Sequence, residues 1–282
     1  MTETKKLTPE EKWNQATIAD NFIFYKVMRH NQDVCKELLE ILLEMEIDRI
    51  EMQGEEFIQI DAEHHAVRLD VYAKNSTQAF DIEIQTTDTR ELPERARYYQ
   101  GMIDVDSLKS GQKYKNLKTS YIIFICIDDI FNMGLGKYTF QNICIENSKI
   151  SLNDRTFKYF FIAKNYDKIL NEDQKAFLKL MLGRPAKGKF ADKITRLVEQ
   201  AKHNEQWRHM YMTLEDLENA AYDRGLEQGI KQGMEHGAEC SKLEAAKNAL
   251  SLGLSIEQVK AITGLSEEEI EKLQKSESNC DE

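Results

Sequence analysis

Two short runs of strict alternation organise the middle of the chain. In the first, apolar Val67, Leu69 and Val71 alternate with Arg68, Asp70 and Tyr72; in the second, Phe80, Ile82 and Ile84 alternate with Asp81, Glu83 and Gln85. A period of two over six residues is the mark of a half-buried strand. Asn75-Ser76-Thr77-Gln78 between the runs is turn chemistry, so the pair predicts a β-hairpin with its polar residues on one face. Ser120–Ile127 is a continuous apolar run and predicts a central strand covered on both faces. Weaker alternation over Ile47–Gln53, Phe57–Ile60, Tyr138–Ile145 and Tyr159–Ala163 predicts further strands, with turns at Gly54 and at Gly134 and Gly136.

Helical signals surround these strands. Thr8-Pro9-Glu10-Glu11 combines an N-cap, a proline at the first helical position and a glutamate three residues after the cap. Apolar stripes at Ile23, Phe24, Val27 and Met28, and at Leu38, Leu39, Ile41, Leu42 and Leu43, predict two amphipathic helices. A helix starting near Pro93 follows the hairpin and puts Arg95 and Tyr99, four apart, on one face. Glu172–Leu182 and Ala191–Trp207 read as helices, and Thr213-Leu214-Glu215-Asp216 as the start of a long one. That helix carries Gly225, Gly229, Gly233 and Gly237, a stripe that allows close helix–helix approach between subunits and equally suits a hinge. Ser255-x-x-Gln258 and Ser266-x-x-Glu269 open two short helices around Gly264, a helix-turn-helix in outline. The second is acidic for a DNA groove, which favours a protein-interaction hairpin. The pattern is that of an α/β protein with an all-helical C-terminal extension, divided as 1–168, 169–212 and 213–282.

Composition narrows the class. Hydrophobic residues make up 41% and charged residues 31% of 282, an ordinary globular balance. The longest apolar run is too short to span a bilayer, and the start lacks an apolar leader, so a cytoplasmic protein without a membrane role is expected. Five cysteines (Cys35, Cys126, Cys144, Cys240, Cys280) show no paired spacing and read as free thiols. The net charge of −11 argues against nucleic acid until its distribution is considered. From Thr213 onward sixteen acids meet seven bases, so the first 212 residues carry only −2. Residues 90–118 hold seven bases against four acids, and residues 184–208 seven against three, and each is a candidate phosphate-facing rim or simply a solvated surface.

The candidate chemistry lies on the hairpin. Pairing brings Asp70 and Glu83 side by side, a hard-oxygen site suited to Mg²⁺ or Mn²⁺, with the backbone carbonyl of Ile84 as a third donor. Gln85, on the same face, can orient a water or donate to a phosphate oxygen. Asp81 shares that face and is read as solvent-exposed near the turn, and the adjacent His64 and His65 as loop residues. Without a ligand, alternating acids need mean nothing more than an exposed sheet face.

Asp20-x-Phe22, Arg68-x-Asp70-Val71, Glu83-x-Gln85 and Arg95-x-x-Tyr98-Tyr99, in that order over about residues 15–165, resemble the PD-(D/E)XK nuclease superfamily. More narrowly the chain is similar to the Rpn-type recombination-promoting nucleases, often labelled transposases. The resemblance implies a restriction-endonuclease-like core, a mixed central sheet flanked by helices. It implies catalysis by Asp70, Glu83 and Gln85, with metal held by Asp70, Glu83, the Ile84 carbonyl and Asp20 from the first core helix. DNA would be met by Arg95, Arg97, Tyr99 and Lys113. The superfamily's usual lysine is Gln85 here, as in the Rpn group. Two functions follow: a Mg²⁺-dependent DNA endonuclease of low sequence specificity linked to recombination or transposition, or a nuclease fold serving as a binding or oligomerisation module. The glycine-bearing helix is the candidate homo-oligomer surface.

Overall fold

A computed structural model describes residues 7–52, 57–58, 67–87 and 91–278. The turn at Gly54, His64, His65, Arg90 and Cys280 lie outside these. Element order is α1 (Pro9–Gln15), α2 (Asn21–His30), α3 (Gln32–Leu43), β1 (Glu51–Met52), β2 (Phe57–Ile58), β3 (Val67–Arg68), β4 (Val71–Lys74), β5 (Gln78–Gln85) and α4 (Leu92–Ser107). It continues with β6 (Thr119–Cys126), β7 (Lys137–Phe140), β8 (Thr156–Ile162), α5 (Glu172–Met181), α6 (Lys189–Lys202), α7 (Glu205–Ser251), α8 (Ile256–Thr263) and α9 (Glu267–Ser278). The chain divides into two compact units after Met212, a boundary that falls inside α7.

The sheet of the first unit is mixed, in the order β1-β4-β5-β6-β8-β7. β4 and β5 form the hairpin, antiparallel, with Val71 opposite Ile82 and Tyr72 opposite Asp81. Its turn is closed by the Asn75 side chain, whose Oδ1 accepts from the Thr77 and Gln78 N–H groups at 3.0 and 2.8 Å. β5, β6 and β8 run parallel, and α4 is the crossover from β5 to β6.

Alternation along β5 sorts its side chains between two cores. Phe80, Ile82 and Ile84 join Ile123 and Ile125 of β6 against the helices α1, α2, α3, α5 and α6, with Trp13, Phe24, Leu38, Phe177 and Ile194 buried there. The opposite face collects Ala79, Ile122, Phe124, Phe160 and Ile162 beneath α4, which contributes Leu92, Ala96, Met102 and Ile103. The hairpin is therefore covered on both faces, and Asp81 is fully buried where an exposed position was expected.

The expected strand Val67–Lys74 is broken at Leu69-Asp70. β3 pairs with β2 in a separate two-stranded sheet, and β4 pairs within the main one. The strand expected over Tyr138–Ile145 ends at Phe140, with only an isolated bridge between Ile143 and Ser151 beyond it. The turn before it needs Gly136, where a Cβ would lie 2.9 Å from the Asn165 carbonyl oxygen. Asp129 organises that turn, accepting from the N–H groups of Phe131, Asn132 and Gly134 and from the Tyr138 hydroxyl.

The long helix starts at Glu205 rather than Thr213. Asn204 accepts from the Trp207 N–H with its side chain, so the cap lies nine residues earlier and the helix expected to reach Trp207 stops at Lys202. The glycines at 225, 229, 233 and 237 all lie in α7, and a Cβ at any of them would meet nothing within 4 Å. In the second unit the end of α7 packs with α8 and α9 around Ala246, Ala249, Val259, Leu265 and Ile270. Gly264 turns between α8 and α9 in the left-handed conformation, φ 72°.

Candidate active site

The site is assembled where β4 gives out. The hairpin register, continued one step beyond Val71–Ile82, sets Asp70 opposite Glu83. At that step the ladder is replaced by side chains. The Asp70 N–H donates to Glu83 Oε1 at 2.8 Å, and the Ile84 N–H donates to Asp70 Oδ2 at 3.2 Å. Glu83 thus fixes the Asp70 backbone, and Asp70 fixes the N–H of the residue after Glu83. In an extended strand a residue's N–H and C=O point the same way, so the Ile84 carbonyl faces the Asp70 side.

α4 adds the counter-charge. Arg95 Nη2 donates to Glu83 Oε2 at 3.3 Å and to the Tyr99 hydroxyl at 2.9 Å, while Nη1 donates to Gln85 Oε1 at 2.9 Å. The other end of the Gln85 amide donates to the Thr87 carbonyl oxygen at 2.6 Å. Arg95 lies over the Phe124 ring at 5.7 Å, so one half-buried guanidinium locks Glu83, Gln85 and Tyr99 onto the sheet. Pro93 in the first turn of α4 sets the start of the helix that delivers it.

Carboxyl groups crowd this corner. Asp70, Glu83 and Asp81 are three carboxyl groups against Arg95, and Glu83 and Asp81 are 2% and 0% exposed. Burial, then Asp70, pushes the Glu83 carboxyl up to about 8, against the pull of the Asp70 N–H and Arg95. Asp81 is raised well above the carboxylate range by burial first and then by Glu83 and Asp70. Ionised, neither Asp81 side-chain oxygen has a donor among the described residues; protonated, Asp81 donates to the Glu83 carboxylate, which raises the one and lowers the other. Once ionised, these crowded buried carboxyl groups would fit a hard divalent cation, which would take the place of their protons. Among the described residues no three His, Cys, Asp or Glu side chains form a metal-holding group. The available donors are the Asp70–Glu83 pair and the Ile84 carbonyl, which suits an ion that keeps several waters.

The predicted residues are placed as follows. Asp70, Glu83, Gln85, Arg95 and Tyr99 come together, and the basic side chain among them is spent on the site's own groups. Arg97 and Lys113 are exposed, the first on α4 and the second just before a short 3₁₀ turn at Tyr114–Asn116. Asp20 is the N-cap of α2. Its oxygens accept from the Ile23 N–H at 3.1 Å, the capping bond, and from the Tyr211 hydroxyl at 3.2 Å. The sequence reading missed Asp81 and Thr87. Parity places Asp81 with Glu83 and Gln85, but only the position of α4 determines that this face is dry.

A family model described as PD-(D/E)XK nuclease family transposase matches residues 22–181. A second, described as the C-terminal HTH domain of the Rpn/YhgA-like nuclease family, matches residues 241–275, the segment whose two capped helices gave a helix-turn-helix outline. The acids of α9 have a local explanation: Glu267, Glu268 and Glu269 occupy its first turn, and Glu269 accepts from the Ser266 N–H at 2.7 Å. No curated protein and no solved structure gives a significant match to the chain. The first match spans more than half of the chain and contains the whole carboxylate corner, and the second completes it at the C-terminal end. The chain belongs to the PD-(D/E)XK nuclease family transposases, of the Rpn/YhgA-like type.

Proposed function

We propose that this nuclease-family chain is a Mg²⁺- or Mn²⁺-dependent DNA endonuclease of low sequence specificity, acting in recombination or transposase-type processing. The observation that carries the reading is the clasp of Asp70 and Glu83 at the end of β4, beside the buried Asp81 carboxyl. Asp70, Glu83 and the Ile84 carbonyl would hold the ion. When bound, it supplies a water of lowered pKa and stabilises the charge that builds on the phosphate. Gln85 is held at both ends of its amide and presents a fixed dipole beside the reacting group. Arg95 keeps Glu83 and Gln85 in register. Tyr99 braces Arg95, and Arg97 and Lys113, both exposed, would meet the DNA backbone.

A plasmid-nicking assay tests this. With Mg²⁺ or Mn²⁺ the wild type should nick supercoiled DNA, and Asp70→Ala and Glu83→Ala should each reduce the rate at least a hundredfold. Nicking that survives both substitutions ends the reading.

A second reading, a nuclease fold used as a binding or oligomerisation module, is favoured by two features. Gln85 replaces the charged residue of the superfamily, and α7 exposes Leu226, Ile230 and Met234 beside its glycines. Self-association through Gly225–Gly237 would cover that face, and light scattering on the intact chain measures it. The HTH match and the basic stretches support DNA as the macromolecular partner. Among the described residues no helix is long and apolar enough to cross a membrane, which is compatible with action on cytoplasmic DNA.

A further inference from the structure

A second feature lies on the α4 side of the sheet, in the same cross-strand row as Glu83. The register places Glu83 beside Phe124, Phe124 beside Phe160, and Phe160 beside Tyr138. Residues in register project to the same face, so Phe160 stands two strand spacings, about 10 Å, from Glu83 across the sheet. Phe124 and Phe160 are stacked at 5.3 Å and 8°. Beyond them the row opens into a cavity of about 290 Å³ lined by Pro93, Phe131, Phe140, Gln141, Asn142, Thr156, Lys158 and Phe160.

The lining has two halves of different chemistry. Phe131 and Phe140 stand nearly perpendicular to Phe160, at 5.2 and 5.7 Å, and make an aromatic wall and floor. Phe131 is held there by the Asp129 turn, and Phe140, on the edge strand β7, is 43% exposed. The other side carries Gln141, Asn142, Thr156 and Lys158; the Asn142 amide and Thr156 hydroxyl donate to the Asp154 carboxylate at 2.6 and 3.0 Å, so the Gln141 amide and the Lys158 ammonium are the groups that suit the polar edge of a flat ring and the phosphate beside it. An aliphatic side chain would fill such a space without using its polar side, and an anion alone would not use its rings.

We propose that this cavity is a subsite for one unpaired nucleobase of the DNA strand, taken from a nucleotide next to the phosphate at Asp70 and Glu83. The inference rests on the nuclease reading for its orientation and names the substrate: single-stranded, frayed or base-flipped DNA rather than an undisturbed duplex. Stacking on phenylalanine accepts any base, because every base has a π-face, in keeping with low sequence specificity.

Binding read without cleavage tests it. The full chain is titrated, in chelator, into a single-stranded oligonucleotide carrying 2-aminopurine and into the same strand in a fully paired duplex. The wild type should quench the single strand strongly and bind it more tightly than the duplex. Phe140→Leu keeps apolar bulk without a ring; it should weaken single-strand binding about tenfold and remove most of the quenching, and Phe140→Trp should restore both. Phe140→Leu with wild-type affinity and quenching overturns the proposal, as does a wild type that binds both forms equally without quenching. The two readings fail separately. Quenching by a wild type that never nicks plasmid removes the nuclease reading and leaves the pocket. Nicking by a wild type whose Phe140→Leu variant binds unchanged removes the pocket alone.

Discussion

At the scale of single residues, the corner at Asp70 crowds carboxyl groups together and answers with protons. Glu83 and Asp81 are held protonated in the metal-free fold above the pH at which the same groups ionise in the unfolded chain. The native state therefore binds more protons than the unfolded state, and stability falls as pH rises from about 5 to 8. Thermal melts in chelator should show that fall. Mg²⁺ should reverse it, raising Tm more at pH 8 than at pH 5, since only the ionised carboxylates bind the ion. Asp81→Asn should raise the chelated Tm at pH 8 and flatten its pH dependence; an unchanged slope would mean that Asp81 is not part of the coupled group. Arg95 is the opposite case. It meets Glu83, Gln85 and Tyr99 through a planar fork, so Arg95→Ala should lower the nicking rate by about two orders of magnitude. Arg95→Lys should not rescue it, because an ammonium cannot reproduce three divergent donors. Most of this corner was legible from residue spacing, Asp70 and Glu83 by alternation and Arg95 and Tyr99 by helical periodicity. Asp81 was not, because burial of that face depends on α4, which follows it in the chain.

At the scale of elements, local signals located caps and turns better than ends. Thr8 with Glu11, Ser255 with Gln258, and Asn75 in the hairpin turn all form the hydrogen bonds that their side chains announce. The break at Leu69-Asp70 has no local cause, since Val67–Lys74 alternates without interruption. It arises because β3 finds its partner in β2 and β4 finds its partner in β5, which is tertiary choice overriding pattern. The start of α7 was misplaced because Thr213 offers a cap-like sequence while Asn204 offers a cap that tertiary packing uses. The glycines of α7 make a sharp test of what that helix is for. Each faces open space, so Gly229→Ala and Gly233→Ala should each stabilise the chain by about 0.5–1 kcal/mol if the helix stands alone. If the stripe is a close-packed interface between copies, the same methyl groups should instead lower the assembly state seen by light scattering, and the melting temperature should become less dependent on protein concentration.

At the scale of the whole molecule, the chain separates its chemistry from its second unit. The carboxylate corner, both halves of the core and the aromatic cavity all belong to the unit that ends at Met212. Among its described residues the unit from Thr213 onward has a core of five buried residues, with Leu243, Leu250, Leu254, Ile256 and Leu273 packed beside them. A core that small leaves only a few kcal/mol of stability, so one cavity should consume it. Ile270 is fully buried there, and Ile→Ala in a core costs about 2–5 kcal/mol. In Ile270→Ala, calorimetry should resolve an early transition for the second unit, while the main transition keeps its wild-type temperature. Amide exchange should lose protection over residues 241–278 and keep it on β5 and β6. If the HTH-matched segment delivers DNA to the site, nicking at low salt should persist, because Asp70 and Glu83 are untouched, but it should need more protein as salt rises and phosphate contacts weaken. Loss of the main transition together with the early one would instead mean that the two units fold as one, and the separation of catalysis from delivery would have to be abandoned.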